Sequence, residues 1–265
     1  MRVRLADAVG SRIRRSLLGI AVCVAAVAPA RLTRAGPPFV TDDPEPVGYQ
    51  EFEIYLAWQL EHDPNGVSGA APQLEVNYGP LPNLQVSATI QLAFDAPEHQ
   101  STNFGIGDTE LAAKYRFVQE TDTLPQIAFF PRVDLPSGDD ARGLGEGHVQ
   151  AILPIWLQKS WGDTHRPWTV YGGAGYWLHP GTGHRDWWYA GAVLQHQVST
   201  RVTLGAEVFH GTPSEVETRG STWLNLGGRL ALSEHYQLLA SAGHNITGPS
   251  GFQAYLALEL TFGLR

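Results

Sequence analysis

The chain has 265 residues, 43% of them hydrophobic and only 17% charged, with 29 glycines and a formal net charge of −8. That is enough for one large β-domain or two small domains, and the acidic balance argues against nucleic acid as a partner. Lysine occurs only at Lys114 and Lys159, and no helical periodicity stands out after the first thirty-odd residues, so the composition reads as all-β.

Arg2, Arg4, Arg12, Arg14 and Arg15 precede an apolar run from Leu17 to Ala30, shorter than the roughly 20 residues a membrane-spanning helix needs. Residues 1–35 therefore read as an export signal, with cleavage after Ala30, on Ala28-Pro29-Ala30, or after Ala35. This stretch holds seven of the 18 basic residues and one of the 26 acidic ones, so without it the net charge becomes −14. It also holds the only cysteine, Cys23, which leaves a mature chain without disulfides, thiol chemistry or Cys-ligated zinc. Residues 36–48 begin GPPFVTDDPEP, too rich in proline for a β-ladder, and are expected to form an extended periplasmic lead-in. Residues 49–265 are expected to form a β-domain, which the strands below make an outer-membrane β-barrel.

Twelve strands are predicted, near 49–62, 71–79, 84–95, 105–118, 126–136, 147–160, 167–179, 186–198, 201–211, 221–232, 236–246 and 251–263. The last is the clearest. Phe252, Ala254, Leu256, Leu258, Leu260 and Phe262 alternate with Gln253, Tyr255, Glu259 and Thr261, a strand with a different solvent on each face. Leu84 to Phe94 and Leu111 to Phe117 alternate in the same way. Connections at 80–83, 119–125, 162–166, 199–200 and 233–235 read as compact turns; those at 63–70, 96–104, 137–146, 180–185 and 212–220 read as longer loops. Short turns on one side and longer loops on the other, with an even strand number, predict a transmembrane antiparallel up-and-down β-barrel.

Alternation does not say which face meets lipid. The bulky charges on the polar face and the strand lengths favour lipid outside, as does the reading of Trp58, Trp156, Trp161, Trp168, Trp177, Trp187, Trp188 and Trp223 as interfacial aromatics near strand ends. The polar face is then the lumen. It carries Glu51, Glu53, Glu75, Glu110, Asp134, Glu207 and Glu259, with Lys114, Arg116, Arg132 and Arg229 as basic partners, and these are the expected pore-lining residues. Acids gather on the first and last strands and bases on the fourth and fifth, which predicts a field across the lumen and a weak preference for cations.

The motifs GPPFVTDDPEP (36–46), NYG followed by PN (77–83), GIGDTELAAKYRF (105–117), LPSGD with GLGEG (135–147), WLQKSWG (156–162) and WTVYGGAGYW (168–177) together resemble the outer-membrane barrel family labelled as phenol-degradation meta-pathway proteins. The likeness covers nearly the whole mature chain. It implies an outer-membrane channel or transporter-like barrel whose partners are outer-membrane lipid and a small-molecule solute, aromatic or other hydrophobic compounds included. Two positions depart from the family: His179-Pro180-Gly181 stands where Asn-Pro-Gly is expected, and Gly263-Leu264-Arg265 overhang the terminal aromatic.

Other chemistry finds no motif. GLGEG and YGGAG lack the Lys-Ser/Thr and the following helix of a phosphate loop, so they read as turn and bulge with no cofactor. Asp139, Asp140 and Glu146 do not have EF-hand spacing, and His179, His184, His210 and His244 match no metal spacing; all read as solvated rim residues. A rim hydrolase would need a Ser and a His together, and His210 with Ser214, or His244 with Ser241 or Ser250, are the pairs available to that alternative. A purely structural barrel is the other alternative, for which longer loops are expected.

Overall fold

The computed structural model describes residues 38–263. The expected signal segment, and with it either cleavage point, lies outside them.

Among the described residues, fourteen strand segments form twelve antiparallel strands. They are β1 (Glu51–Asp63), β2 (Gly66–Leu81), β3 (Leu84–Pro97), β4 (Asn103–Ile106 and Thr109–Val118), β5 (Gln126–Phe129 and Arg132–Leu135), β6 (Gln150–Asp163), β7 (Arg166–Leu178), β8 (Trp187–Gln197), β9 (Val202–Gly211), β10 (Ser221–Ala231), β11 (Tyr236–Thr247) and β12 (Phe252–Gly263). Each pairs with its neighbours in sequence, and β12 returns to β1 in a continuous register from Glu51↔Gly263 to His62↔Phe252. The sheet closes and leaves no free edge, the only way a sheet satisfies its backbone in lipid. No helix among the described residues is long and apolar enough to cross a membrane.

The alternation has the sense the sequence predicts. On β12, Phe252, Leu256, Leu258 and Phe262 are exposed on the outer face, while Ala257, Glu259 and Thr261 are buried inside. The same holds around the ring, with Leu226 71% and Ile106 64% exposed while Glu207 and Asn225 are buried. An outside made of Leu, Ile, Val and aromatic side chains around the whole circumference is far larger than any apolar patch a water-soluble monomer tolerates, so its solvent is lipid. At the seam, Phe52 stacks on Tyr78 and on Phe262, with ring centroids 4.5 and 5.3 Å away, and closes the barrel with an aromatic cluster at the short-turn end.

Three expectations need correction. The connection placed at 63–70 is a two-residue turn, because the Asp63 carboxylate accepts the N–H groups of Asn65 and Gly66 at 2.8 and 3.1 Å and lets β1 and β2 pair to their ends. The eight tryptophans do not form one interfacial belt. Trp58, Trp161, Trp168 and Trp188 face outward, but Trp156 is fully buried within the barrel, and Trp177, Trp187 and Trp223 pack against the same interior cluster.

Residues 38–48 carry no strand, in keeping with their prolines. They do not stay below the barrel, however: Pro38, Thr41, Asp43, Pro44, Pro46 and Val47 are buried within it.

Candidate functional site

The interior is built from the inward residues of all twelve strands and from the segment 38–47, which crosses between them. Its first contact is on β11, where Ser241 donates its hydroxyl to the Pro38 carbonyl. Glu207 on β9 then accepts the N–H groups of Val40 and Thr41 at 3.3 and 2.6 Å, and the Asn225 side-chain amide at 2.6 Å. On the far wall, Lys114 of β4 lies 3.1 Å from Asp42 and 3.7 Å from Asp43, and Arg116 lies 2.8 Å from Glu45. The segment leaves along β3, where the Val47 N–H donates to Gln85 at 2.9 Å. Gly191 on β8 makes room for it: a β-carbon there would sit 1.8 Å from the Thr41 hydroxyl.

Two of the basic residues predicted on the inner face thus find their acids on this segment rather than on the opposite wall. Arg132 pairs with Glu110 at 3.5 Å, and the ring of Phe130 lies 4.6 Å from Lys114 Nζ and 5.7 Å from the Arg132 guanidinium. Arg229 approaches Gln195 at 3.4 Å. The acids near the seam bond to neutral groups. Glu53 accepts from the Tyr55 hydroxyl at 2.7 Å, Glu75 from Asn77 at 2.9 Å, and Glu259 from Thr261 at 2.9 Å and Gln237 at 3.5 Å. Asp134 is half-buried opposite Glu110, and Glu51 lies at the short-turn mouth. Burial lifts Asp43 from the ordinary carboxylate value of 3.8 to about 6, with Lys114 pulling the other way.

Sequence spacing does not reveal a second feature, an aromatic wall on the inner faces of β5 to β10. Tyr189 is its hub, with ring centroids 6.1 Å from Trp156, 5.5 Å from Trp187, 6.5 Å from Trp177 and 5.7 Å from Phe209. Trp177 and Trp187 stack at 5.0 Å. At the short-turn end a cavity of about 480 Å³ opens between Glu45, Glu51, Glu53, Arg116 and Thr261, next to a smaller one of about 310 Å³ reaching Glu120 and Gln126.

Three of the Ser and His residues named for a hydrolase are placed away from that role. His210 Nδ1 is 2.9 Å from the Thr222 hydroxyl, Ser241 is bonded to Pro38, and His244 lies on the other face of β11 from Ser241. Asp140 and Arg142 bound a single 3₁₀ turn in the loop 136–149, and Asp108 anchors that loop by accepting the N–H groups of Gly138 and Glu146, both at 2.8 Å.

No protein-family model and no curated protein matches the sequence. In structure the chain is similar to an outer membrane channel from Pseudomonas putida F1, at TM-score 0.65 and 16% identity over 83% of this chain and 98% of that one. It is similar also to the KdgM porin, solved in complex with disordered oligogalacturonate, at TM-score 0.54 and 8% identity over 79% of this chain and 99% of that one. At such identities the likeness is one of fold, and the fold shared is a closed antiparallel barrel of the outer-membrane kind.

Proposed function

We propose that the protein is an outer-membrane channel for the passive passage of small solutes, aromatic or other hydrophobic compounds among them. Residues 1–35 direct its export, and it inserts with its short turns toward the periplasm. One observation carries this reading: the barrel is apolar on its whole outer surface, while its interior holds ionisable side chains, an aromatic wall and cavities at one mouth. The pore-lining residues are Glu51, Glu53, Glu75, Glu110, Lys114, Arg116, Arg132, Asp134, Glu207, Arg229 and Glu259. The aromatic wall offers flat solutes a surface on which to stack, with centroid spacings in the ordinary range for aromatic pairs. The family suggested by the sequence motifs implies the same class of protein.

The test is swelling of liposomes carrying the purified, folded protein, run over neutral, anionic, cationic and aromatic solutes of graded size. Permeation of small solutes is expected, faster once residues 36–46 are deleted. Folded protein that admits no solute with or without the segment would make this a structural barrel.

A further inference from the structure

Glu146, in the loop between β5 and β6, and His179 and His184, in the loop between β7 and β8, meet at the long-loop mouth. His179 Nε2 is 3.1 Å and His184 Nδ1 is 4.0 Å from the same Glu146 carboxylate oxygen, and one ligand atom from each residue lies within 4.8 Å of the others. The two imidazoles stack with centroids 4.1 Å apart. His184 Nδ1 is buried without a hydrogen-bond partner, a cost the unliganded arrangement leaves uncompensated. Gly181 keeps the centre open, because a β-carbon there would lie 3.0 Å from His184 Nδ1 and 3.4 Å from His148 Nδ1.

We infer that this cluster is a binding site for a divalent transition metal of the zinc type, held by His179 Nε2, His184 Nδ1 and Glu146. Metal–ligand bonds of about 2.0–2.1 Å in tetrahedral geometry set ligand atoms roughly 3.3 Å apart. The observed 3.1 and 4.0 Å bracket that value, so a tilt of the stacked rings is the main adjustment required. Two imidazoles and one carboxylate select zinc, copper or nickel over calcium or magnesium, which prefer all-oxygen sets. Three protein ligands leave the fourth position of the set to water.

The site also has leverage on the mouth. His184 forms an isolated bridge with Glu215, Arg185 donates its N–H to the Ser214 carbonyl at 2.8 Å, and Val216 donates to Gly183 at 2.9 Å. An ion bound there ties together three successive long loops, those following β5, β7 and β9.

The test is zinc binding to the detergent-folded full barrel by equilibrium dialysis, with Co²⁺ as a spectroscopic probe whose visible band reports low coordination by imidazole. One equivalent per chain is expected. His179→Ala and His184→Ala should each weaken binding at least about tenfold and remove the cobalt band, Glu146→Gln should weaken it less, and His210→Ala should leave it unchanged. Heat-modifiable migration on gels shows that each variant is folded. No stoichiometric zinc in the parent, or undiminished zinc in the folded His179→Ala/His184→Ala double variant, overturns the assignment.

Discussion

The clasp between Glu207 and the N-terminal segment sets how firmly the lumen is occupied. Glu207 is buried, and its carboxylate accepts two N–H groups from the segment, Thr41 at 2.6 Å and Val40 at 3.3 Å. Hydrogen bonds to a charged group contribute about 1.5–3 kcal/mol each. The long Val40 contact belongs at the low end, so Glu207→Ala should weaken docking of residues 38–42 by about 3 kcal/mol, roughly a hundredfold in the open population. A Thr41→Cys reporter removes no hydrogen bond, because the Thr41 hydroxyl is buried without a partner. In a Cys23→Ser background, the rate at which a methanethiosulfonate reagent modifies that cysteine tracks the open population when docking is fast. The rate, normalised to Tyr49→Cys at an exposed position, should rise about a hundredfold in Glu207→Ala and much less in Glu207→Gln. A rate within threefold of the parent would refute the clasp and leave the ion pairs of Lys114 and Arg116 as what holds the segment.

The same reporter should respond to pH. Because Asp43 is raised on docking from 3.8 to about 6 by burial, against Lys114, its proton favours the docked state: the gain is complete below about pH 4 and is lost as pH rises through about 6. Normalised labelling should therefore be faster at pH 7 than at pH 5, and Asp43→Asn should flatten the profile. Leu258→Arg, at the middle of β12 on the outer face and paired with Leu56 and Leu238, should cost about 2–4 kcal/mol in denaturant unfolding from vesicles. Gln253→Arg, on the inner face, should cost much less, and equal tolerance would speak against lipid outside. Glu259→Gln should reduce cation preference in bilayer reversal potentials; an anion-selective parent channel would contradict the acidic seam. Cysteines at Asp140 and Asp122 should be labelled and protected, respectively, in intact cells, and the opposite pattern would invert the topology.

Strand number, order and facing were legible because on β3, β4 and β12 one face is polar and the other is not. The inner charges follow from the same alternation: Glu53, Lys114, Glu207 and Glu259 all lie inside. The tryptophans were misread because position near a strand end was weighed above parity. Trp156 shares its parity with Gln150 and Gln158, Trp187 with Tyr189 and Gln195, and Trp223 with Asn225 and Arg229, so each belongs to the inner face. The course of residues 38–47 was hidden for another reason. Prolines exclude a ladder but do not choose between periplasm and lumen. The available signal was electrostatic, since Asp42, Asp43 and Glu45 complement Lys114 and Arg116 on a strand with few other acids to meet them. The Glu146, His179 and His184 cluster was beyond sequence spacing altogether, because its members come from two loops separated by β6 and β7.

These misreadings share a physical origin in the make-up of the interior. A lumen in which every inward residue is polar would hold only water and ions, and alternation would expose it completely. Here Phe130, Ile152, Trp156, Tyr189 and Phe209 form a buried apolar cluster on one wall, while Glu53, Glu75 and Glu259 gather toward the other. The crossing segment is matched to both: Phe39 packs beside Gly205 and Thr41 beside Gly191 at one end, and Asp42, Asp43 and Glu45 meet Lys114 and Arg116 at the other. Displacing it therefore exposes an apolar surface and two bases parted from their acids together.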